Sequence, residues 1–139
     1  MEKEKLVQLA YEAQKKSYSP YSGFAVGAAL LAKNGQVFLG CNIENASYGA
    51  TNCAERTALF KAVSEGVTEF EAIAIVGNLK DAPPENWDYC MPCGICRQAL
   101  AEFVNPKTFK VYLGNNDKPC KEYTLEELLP GGFTKLDLL

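Results

Sequence analysis

Two short cysteine-bearing segments constrain this chain more than any other feature. The first is Cys53-Ala54-Glu55-Arg56, and the second is Pro92-Cys93-Gly94-Ile95-Cys96. Each opens a stretch with helical periodicity, so a fold that joins them must place two helix starts side by side. Together they offer three thiolates to one metal ion. Three protein ligands leave the fourth position of a zinc ion open, and that open position separates a catalytic zinc from a structural one.

Glu55, two residues after the first cysteine, is the leading candidate for proton transfer. The chain contains no histidine, which excludes Ser-His-Asp and Cys-His mechanisms and removes the usual general base. Side chains two residues apart at a helix start diverge, so Glu55 is expected to hydrogen-bond a water molecule on the ion rather than bind the ion itself. Zinc and a carboxylate in this arrangement activate water near neutral pH.

Cys90 leaves two other interpretations open. The run Cys90-x-x-Cys93-x-x-Cys96 has the spacing of iron–sulfur ligands, although the next cysteine, Cys120, lies far downstream. Alternatively, Cys90 completes a closed four-cysteine zinc site with Cys53. Either interpretation makes the chain a non-enzymatic metal-binding domain.

The charge of such a site gives Arg56 a hypothetical function. Three thiolates around one zinc ion leave the site with a net negative charge, which weakens the ion as a Lewis acid. Helix N-termini carry partial positive charge and lower the pKa of nearby thiols, so both helix starts offset this effect. Arg56 is expected to add to the offset by donating a hydrogen bond to a ligand sulfur.

Hydrophobic periodicity and turn residues predict an alternating order of helices and strands. Helices are predicted at residues 6–16, 53–65, 94–103 and 124–129, and strands at residues 24–32, 36–43, 70–76, 108–113 and, less distinctly, 121–123. Asn34-Gly35 predicts a hairpin between the first two strands, and Thr51 or Asn52 is expected to cap the second helix. The order predicts an α/β fold, a three-layer α/β/α sandwich with a mixed sheet, in a single domain over 1–139.

Composition narrows the possible partners. The net charge is −3 and no basic run stands out, which disfavours a nucleic-acid surface. No segment is apolar and long enough to span a membrane or act as a secretory signal, so a cytoplasmic protein is expected. In that reducing compartment the six cysteines are expected to be metal ligands or free thiols rather than disulfides, with Cys41 and Cys120 as buried small residues.

With these motifs together, the chain resembles the small homotetrameric cytidine deaminases over nearly its whole length. Zinc deaminases share a His-or-Cys, x, Glu unit followed by Pro-Cys-x-x-Cys. Five segments carry the resemblance: Tyr18 to Leu30, Gly40-Cys41-Asn42-Ile43-Glu44-Asn45-Ala46-Ser47-Tyr48, Cys53 to Ala58, Pro92 to Gln98, and Glu127 to Phe133.

The resemblance implies a site with one zinc ion per chain, held by Cys53, Cys93 and Cys96, and Glu55 as the general acid and base. It also implies a set of substrate contacts. Phe24 would contact the pyrimidine ring, and Asn42 and Glu44 would bind the ribose 3′-hydroxyl. The N–H of Ala54 would bind the ring O2, and the carbonyl of Met91 would accept a hydrogen bond from the amino group. Phe133 would reach the site of a neighbouring subunit.

The implied activity is zinc-dependent hydrolytic deamination of free cytidine and 2′-deoxycytidine by a homotetramer, in pyrimidine salvage. Deamination of another aminopyrimidine, such as blasticidin S, stays open as an alternative. The Asn42-Ile43-Glu44-Asn45 segment favours a nucleoside substrate, because blasticidin S deaminases share the metal motifs but not this segment.

Overall fold

The computed structural model describes residues 1–139. The helices are α1 (Lys3–Gln14), α2 (Ala54–Ser64), α3 (Gly94–Ala101) and α4 (Leu125–Leu128). The strands are β1 (Phe24–Ala32), β2 (Val37–Cys41), β3 (Phe70–Leu79), β4 (Lys110–Asn115) and β5 (Lys118–Thr124). Short 3-10 turns lie at Tyr48–Ala50, Pro84–Asn86 and Lys135–Asp137.

The five strands form one mixed sheet in the order β2-β1-β3-β4-β5. The β3–β4 pair is parallel and the other three pairs are antiparallel. The parallel pair needs a crossover, and α3 lies within the connection between β3 and β4. The predicted mixed sheet is therefore confirmed.

Alternating side chains of the central strands separate the core into two halves. On β1, Ala28 and Leu30 pack with α2, α3 and α4 on one face of the sheet, whereas Ala29 and Leu31 pack under α1 on the other face. This alternation is the two-residue period of a strand with both faces buried. Helices on both faces confirm the predicted three-layer α/β/α sandwich.

The first hairpin forms where Asn34-Gly35 predicts it. The N–H of Gly35 donates to the carbonyl of Ala32 at 3.0 Å, and Gly35 has a φ of 93°. This left-handed conformation favours glycine, because a Cβ atom would be strained there.

The N-cap of α2 differs from the sequence prediction. Cys53, rather than Thr51 or Asn52, is the N-cap residue, and no side chain caps this end. Both predicted caps bond elsewhere, since the hydroxyl of Thr51 accepts from the N–H of Asn45 and the amide of Asn52 donates to the hydroxyl of Thr57. The sulfur of Cys53 is consequently free of capping and available as a ligand.

The cysteines are all free thiols. The expectation that Cys41 and Cys120 are buried is wrong, because both are only half-buried. The sulfur of Cys41 lies at the open edge of the sheet and donates to the carbonyl of Lys16 at 3.3 Å. Separately, no helix has the length and apolar character needed to cross a membrane.

Two glycines let helices approach the sheet closely. A Cβ atom on Gly27 would lie 2.1 Å from the carbonyl oxygen of Ala10 in α1. A Cβ atom on Gly40 would lie 2.4 Å from the carbonyl oxygen of Ala54 and 2.5 Å from the nitrogen of Ala58. Gly40 thus fixes the distance between β2 and the first turn of α2, the turn that follows Cys53.

We expect Gly40→Ala to destabilise the fold, because the added methyl group can be accommodated only by moving the backbone of α2. Overpacking of this kind typically costs about 1–3 kcal/mol. Gly49→Ala is the matched control, since a Cβ atom there meets nothing within 4 Å. Thermal unfolding followed by circular dichroism, at fixed protein and zinc concentrations, measures the difference. Equal midpoints for the two variants would contradict the close approach of α2.

Candidate metal centre and active site

The N-termini of α2 and α3 bring three cysteine sulfurs together. Cys53 is the N-cap of α2, Cys93 is the N-cap of α3, and Cys96 lies in the first turn of α3. The Sγ atoms of Cys53 and Cys93 are 3.6 Å apart, and those of Cys93 and Cys96 are 3.4 Å apart. All three sulfurs lie within 4.8 Å of one another, with Cys96 fully buried and Cys93 exposed.

The donor set and its spacing fit a zinc ion. Two thiolates on a tetrahedral zinc with bonds of about 2.3 Å are about 3.8 Å apart, close to the observed separations. Soft thiolates select zinc over hard cations such as Mg²⁺ or Ca²⁺. With three protein donors, the group leaves one tetrahedral position for water or substrate.

Cys90 does not belong to this group of sulfurs. Its side chain packs over Gly77, where an added Cβ would lie 2.8 Å from the Cys90 sulfur. Burial raises the pKa of the Cys90 thiol to about 12, so this residue is a neutral thiol rather than a thiolate at neutral pH. The closed four-cysteine site and the iron–sulfur run both need Cys90 as a ligand, and its position favours neither.

Within the cluster, the sulfur of Cys53 is the one arranged to carry negative charge. Hydrogen bonds from Cys96, Arg56 and Cys93 together lower the pKa of Cys53 to about 5, against the opposing effect of burial. The same hydrogen bond, together with burial, raises the pKa of Cys96. Without a metal, Cys53 is the thiolate and Cys96 keeps the shared proton. A metal ion displaces that proton, as metal binding to thiols requires.

Arg56 is placed against the first ligand. Its Nη2 donates to the sulfur of Cys53 at 3.4 Å. Its Nε atom is buried and has no hydrogen-bond partner. The guanidinium is therefore oriented by the sulfur cluster, and it brings positive charge to the side of α2 that carries Cys53.

Glu55 is buried beside the cluster without belonging to it. The residue is 3% exposed, and its carboxylate stands outside the group of three sulfurs. Burial raises the pKa of Glu55, while a hydrogen bond from Cys96 opposes this shift. A carboxyl group with a raised pKa next to a metal centre is suited to accept and return a proton near neutral pH.

Asn42 and Glu44 follow β2 and are both held by their own chain. The Oδ1 of Asn42 accepts from the backbone N–H of Val26 at 2.9 Å, and its Nδ2 donates to the carbonyl of Phe24 at 2.8 Å. The carboxylate of Glu44 accepts from the N–H groups of Tyr21 and Ser22 at 3.0 and 3.1 Å and also from the Ser22 hydroxyl.

These bonds order the segment that carries Asn42 and Glu44. Hydrogen bonding from Ser22 lowers the pKa of Glu44, so the group is a carboxylate at neutral pH. The same bonds tie residues 42–44 to the start of β1, and the resemblance places Phe24 in the pocket there.

The remaining predicted contacts lie at the ends of elements. Phe24 begins β1 and is half-buried beside Gly77. Ala54 is the first residue of α2, where a backbone N–H has no partner within the helix. Met91 is 44% exposed and precedes the second ligand segment, whereas Phe133 is 61% exposed in the C-terminal tail.

Sequence reasoning missed the polar side chains that brace the site. Arg97 and Gln98 follow the last cysteine directly and bond to carbonyl groups of distant segments. Gln14 at the end of α1 donates to the carbonyl of Ala25 and to Asn78. The only sequence signal for a role of Arg97 and Gln98 was their position next to the cysteine motif. Nothing in the sequence indicated a role for Gln14.

Comparisons with known proteins identify a zinc-binding family. Residues 1–113 match the family profile of the cytidine and deoxycytidylate deaminase zinc-binding region. The cytidine deaminase of Halalkalibacterium halodurans is 53% identical over 138 residues, covering 99% of this chain and 98% of that protein. The cytidine deaminase of Sporosarcina psychrophila is 49% identical over 138 residues, covering 99% of this chain and 96% of that protein.

Solved structures show the same fold. The crystal structure of cytidine deaminase from Burkholderia pseudomallei superposes with a TM-score of 0.85 and 45% sequence identity, covering 96% of this chain and all of that chain. A blasticidin-S deaminase of Bacillus cereus is also similar, but it is only 34% identical over 111 residues, covering 79% of this chain and 77% of that protein.

Proposed function

The chain belongs to the cytidine and deoxycytidylate deaminase family, and we propose that it hydrolyses free cytidine and 2′-deoxycytidine to uridine and 2′-deoxyuridine, releasing ammonia. The observation that carries this proposal is the sulfur cluster of Cys53, Cys93 and Cys96 with the buried Glu55 beside it. Similarity to cytidine deaminases over almost the whole chain supports the same activity.

Glu55 is proposed as the group that moves protons. Zinc, when bound by the three cysteines, supplies a Lewis acid that makes water nucleophilic near neutral pH. Glu55 takes a proton from the attacking water and delivers it to the ring nitrogen. It then takes the remaining proton from the hydroxyl now on the ring carbon and passes it to the amino group, so that a carbonyl forms, the carbon–nitrogen bond breaks and ammonia leaves.

Substrate binding is proposed to use rigid parts of the chain. The N–H of Ala54 at the α2 start binds the ring O2, the carbonyl of Met91 receives the amino group, and Phe24 packs on the ring. Asn42 and Glu44 bind the ribose 3′-hydroxyl. The bonds that hold these two side chains to β1 and to residues 21–22 support a preformed sugar site, since little ordering remains for binding to complete.

The assembly is proposed to be a homotetramer in which Phe133 of one subunit completes the site of a neighbour. Phe133 extends from the surface of its own subunit, which supports this role. Other large apolar side chains are exposed as well, and such surfaces mark protein interfaces. They include Tyr18, Tyr21, Tyr48, Phe60 and Ile95.

Residues 1–139 are proposed to form one deaminase domain that acts in the cytoplasm as part of pyrimidine salvage. Six free cysteines, three of them gathered as metal ligands, suit a reducing compartment. The small nucleoside is the proposed partner, and the net charge of −3 disfavours nucleic acid. A blasticidin-type substrate is less well supported, because that relative matches fewer residues at lower identity.

We expect Glu55→Gln to keep its zinc and its fold but to lose most of its turnover, because glutamine cannot accept a proton. General acid–base catalysis typically raises a reaction rate by about 10²–10⁴-fold. The kcat for cytidine should therefore fall by about 10²-fold or more. An ultraviolet assay of cytidine loss measures it. Glu102→Gln, an exposed residue just after α3, is the control and should match the unchanged protein. Full activity in Glu55→Gln would overturn the mechanism.

Arg56 is proposed to offset the negative charge of the three thiolates through its hydrogen bond to Cys53. Arg56→Gln should therefore retain about one zinc ion per chain while kcat falls. The expected fall is about 10-fold, which is the size of effect seen when a residue that hydrogen-bonds a metal ligand is replaced. Arg56→Lys keeps the positive charge and should lose less. Zinc content by atomic absorption and steady-state kinetics test this, and an Arg56→Gln variant with unaltered kcat would refute the charge offset.

A further inference from the structure

Arg97 binds the backbone on both sides of Cys93. Its Nε donates to the carbonyl of Pro92 at 2.8 Å, and its backbone N–H donates to the carbonyl of Cys93 at 3.0 Å. The bond to Cys93 is the ordinary helical bond of the first turn of α3, so the contribution specific to the arginine side chain is the bond to the peptide unit directly before the ligand.

Cys93 is the ligand that most needs such support. It is exposed, whereas Cys96 is fully buried within α3 and Cys53 precedes a helix turn seated against Gly40. Cys93 also ends the long connection from β3, which contains only a short 3-10 turn at Pro84–Asn86. Packing also holds this segment, since Pro92 is fully buried and the Cys90 side chain lies over Gly77, and the Arg97 guanidinium adds a side-chain hydrogen bond to the carbonyl directly before the ligand.

The same guanidinium reaches the C-terminal part of the chain. Its Nη1 donates to the carbonyl of Leu128 at 2.6 Å. Leu128 is the last residue of α4, where carbonyl groups lack partners within the helix. The neighbouring Gln98 donates through Nε2 to the carbonyl of Phe133 at 2.7 Å. Arg97 and Gln98 consequently fasten the tail to the helix that carries two metal ligands.

We infer that Arg97 is a positioning residue of the metal centre, which holds the Met91–Cys93 segment in place by joining it to the end of α4. The inference deepens the proposed function, because this segment also carries the carbonyl proposed to receive the substrate amino group. Only a planar, multi-donor side chain reaches both carbonyls in this way. Removing it leaves two carbonyls without their charged donor and frees the exposed ligand to leave the metal.

Zinc release is the most direct test. In Arg97→Gln, transfer of zinc from the loaded protein to an excess of a chromogenic chelator should be about 10-fold faster than in the unchanged protein, the size expected when support of a metal ligand is lost. This readout does not depend on turnover, so it separates the inference from the proposed activity. Arg97→Lys, which can serve one carbonyl at a time, should release zinc at an intermediate rate.

Two controls separate positioning from general stability. Leu6→Ala removes a buried side chain from α1, on the face of the sheet away from the cysteines, so it lowers stability without touching α4 or the Arg97 bonds. Gln98→Ala removes only the hydrogen bond to the carbonyl of Phe133 in the C-terminal tail. Both should release zinc at the unchanged rate.

Unchanged zinc release in Arg97→Gln would overturn the inference. Equal acceleration in Arg97→Gln and Leu6→Ala would also overturn it, because release would then follow stability alone. If Arg97→Gln yields no folded protein, the comparison of Arg97→Lys with Leu6→Ala decides in the same way.

Discussion

The convergence of two helix N-termini on one point organises this molecule. The sheet supports α2 on β1 and β2, and the β3–β4 crossover carries α3, so that Cys53 meets Cys93 and Cys96 from opposite sides. Helix N-termini favour thiolates because their unpaired N–H groups and dipoles are positive. Displacing either helix by an ångström separates the sulfurs, and the glycine at position 40 sets one of these distances.

Three side chains next to the cluster each have a separate proposed role in the reaction or in holding the metal. Glu55 stays buried and outside the ligand group, which suits a carboxylate that transfers protons. Arg56 brings positive charge to Cys53, and Arg97 is inferred to restrain the peptide unit before Cys93, to which its side chain bonds. Each of the three lies within three residues of a cysteine of the cluster, so the helix starts that carry these cysteines also carry the groups proposed to adjust the metal.

Local pattern was sufficient to predict most elements and the three cysteines that lie together. Periodicity gave β1 at its observed limits, and the helix starts at Cys53 and Cys93 predicted that these sulfurs and that of Cys96 would meet, although the sequence left the place of Cys90 open. The features that sequence could not supply are long-range contacts. The Arg97 bond to Leu128 joins residues 31 positions apart, and the place of Cys90 over Gly77 depends on how a long connection packs. Cys53 became the N-cap because Thr51 and Asn52 bond to other residues.

The central claim is a zinc ion held by three thiolates with one position open for chemistry. X-ray absorption spectroscopy of the purified zinc-loaded protein measures this directly, because sulfur and oxygen neighbours differ in distance. We predict three sulfur atoms at about 2.3 Å and one oxygen atom at about 2.0–2.2 Å. Four sulfur atoms at about 2.3 Å and no oxygen would contradict the claim, since Cys90 would then have closed the site.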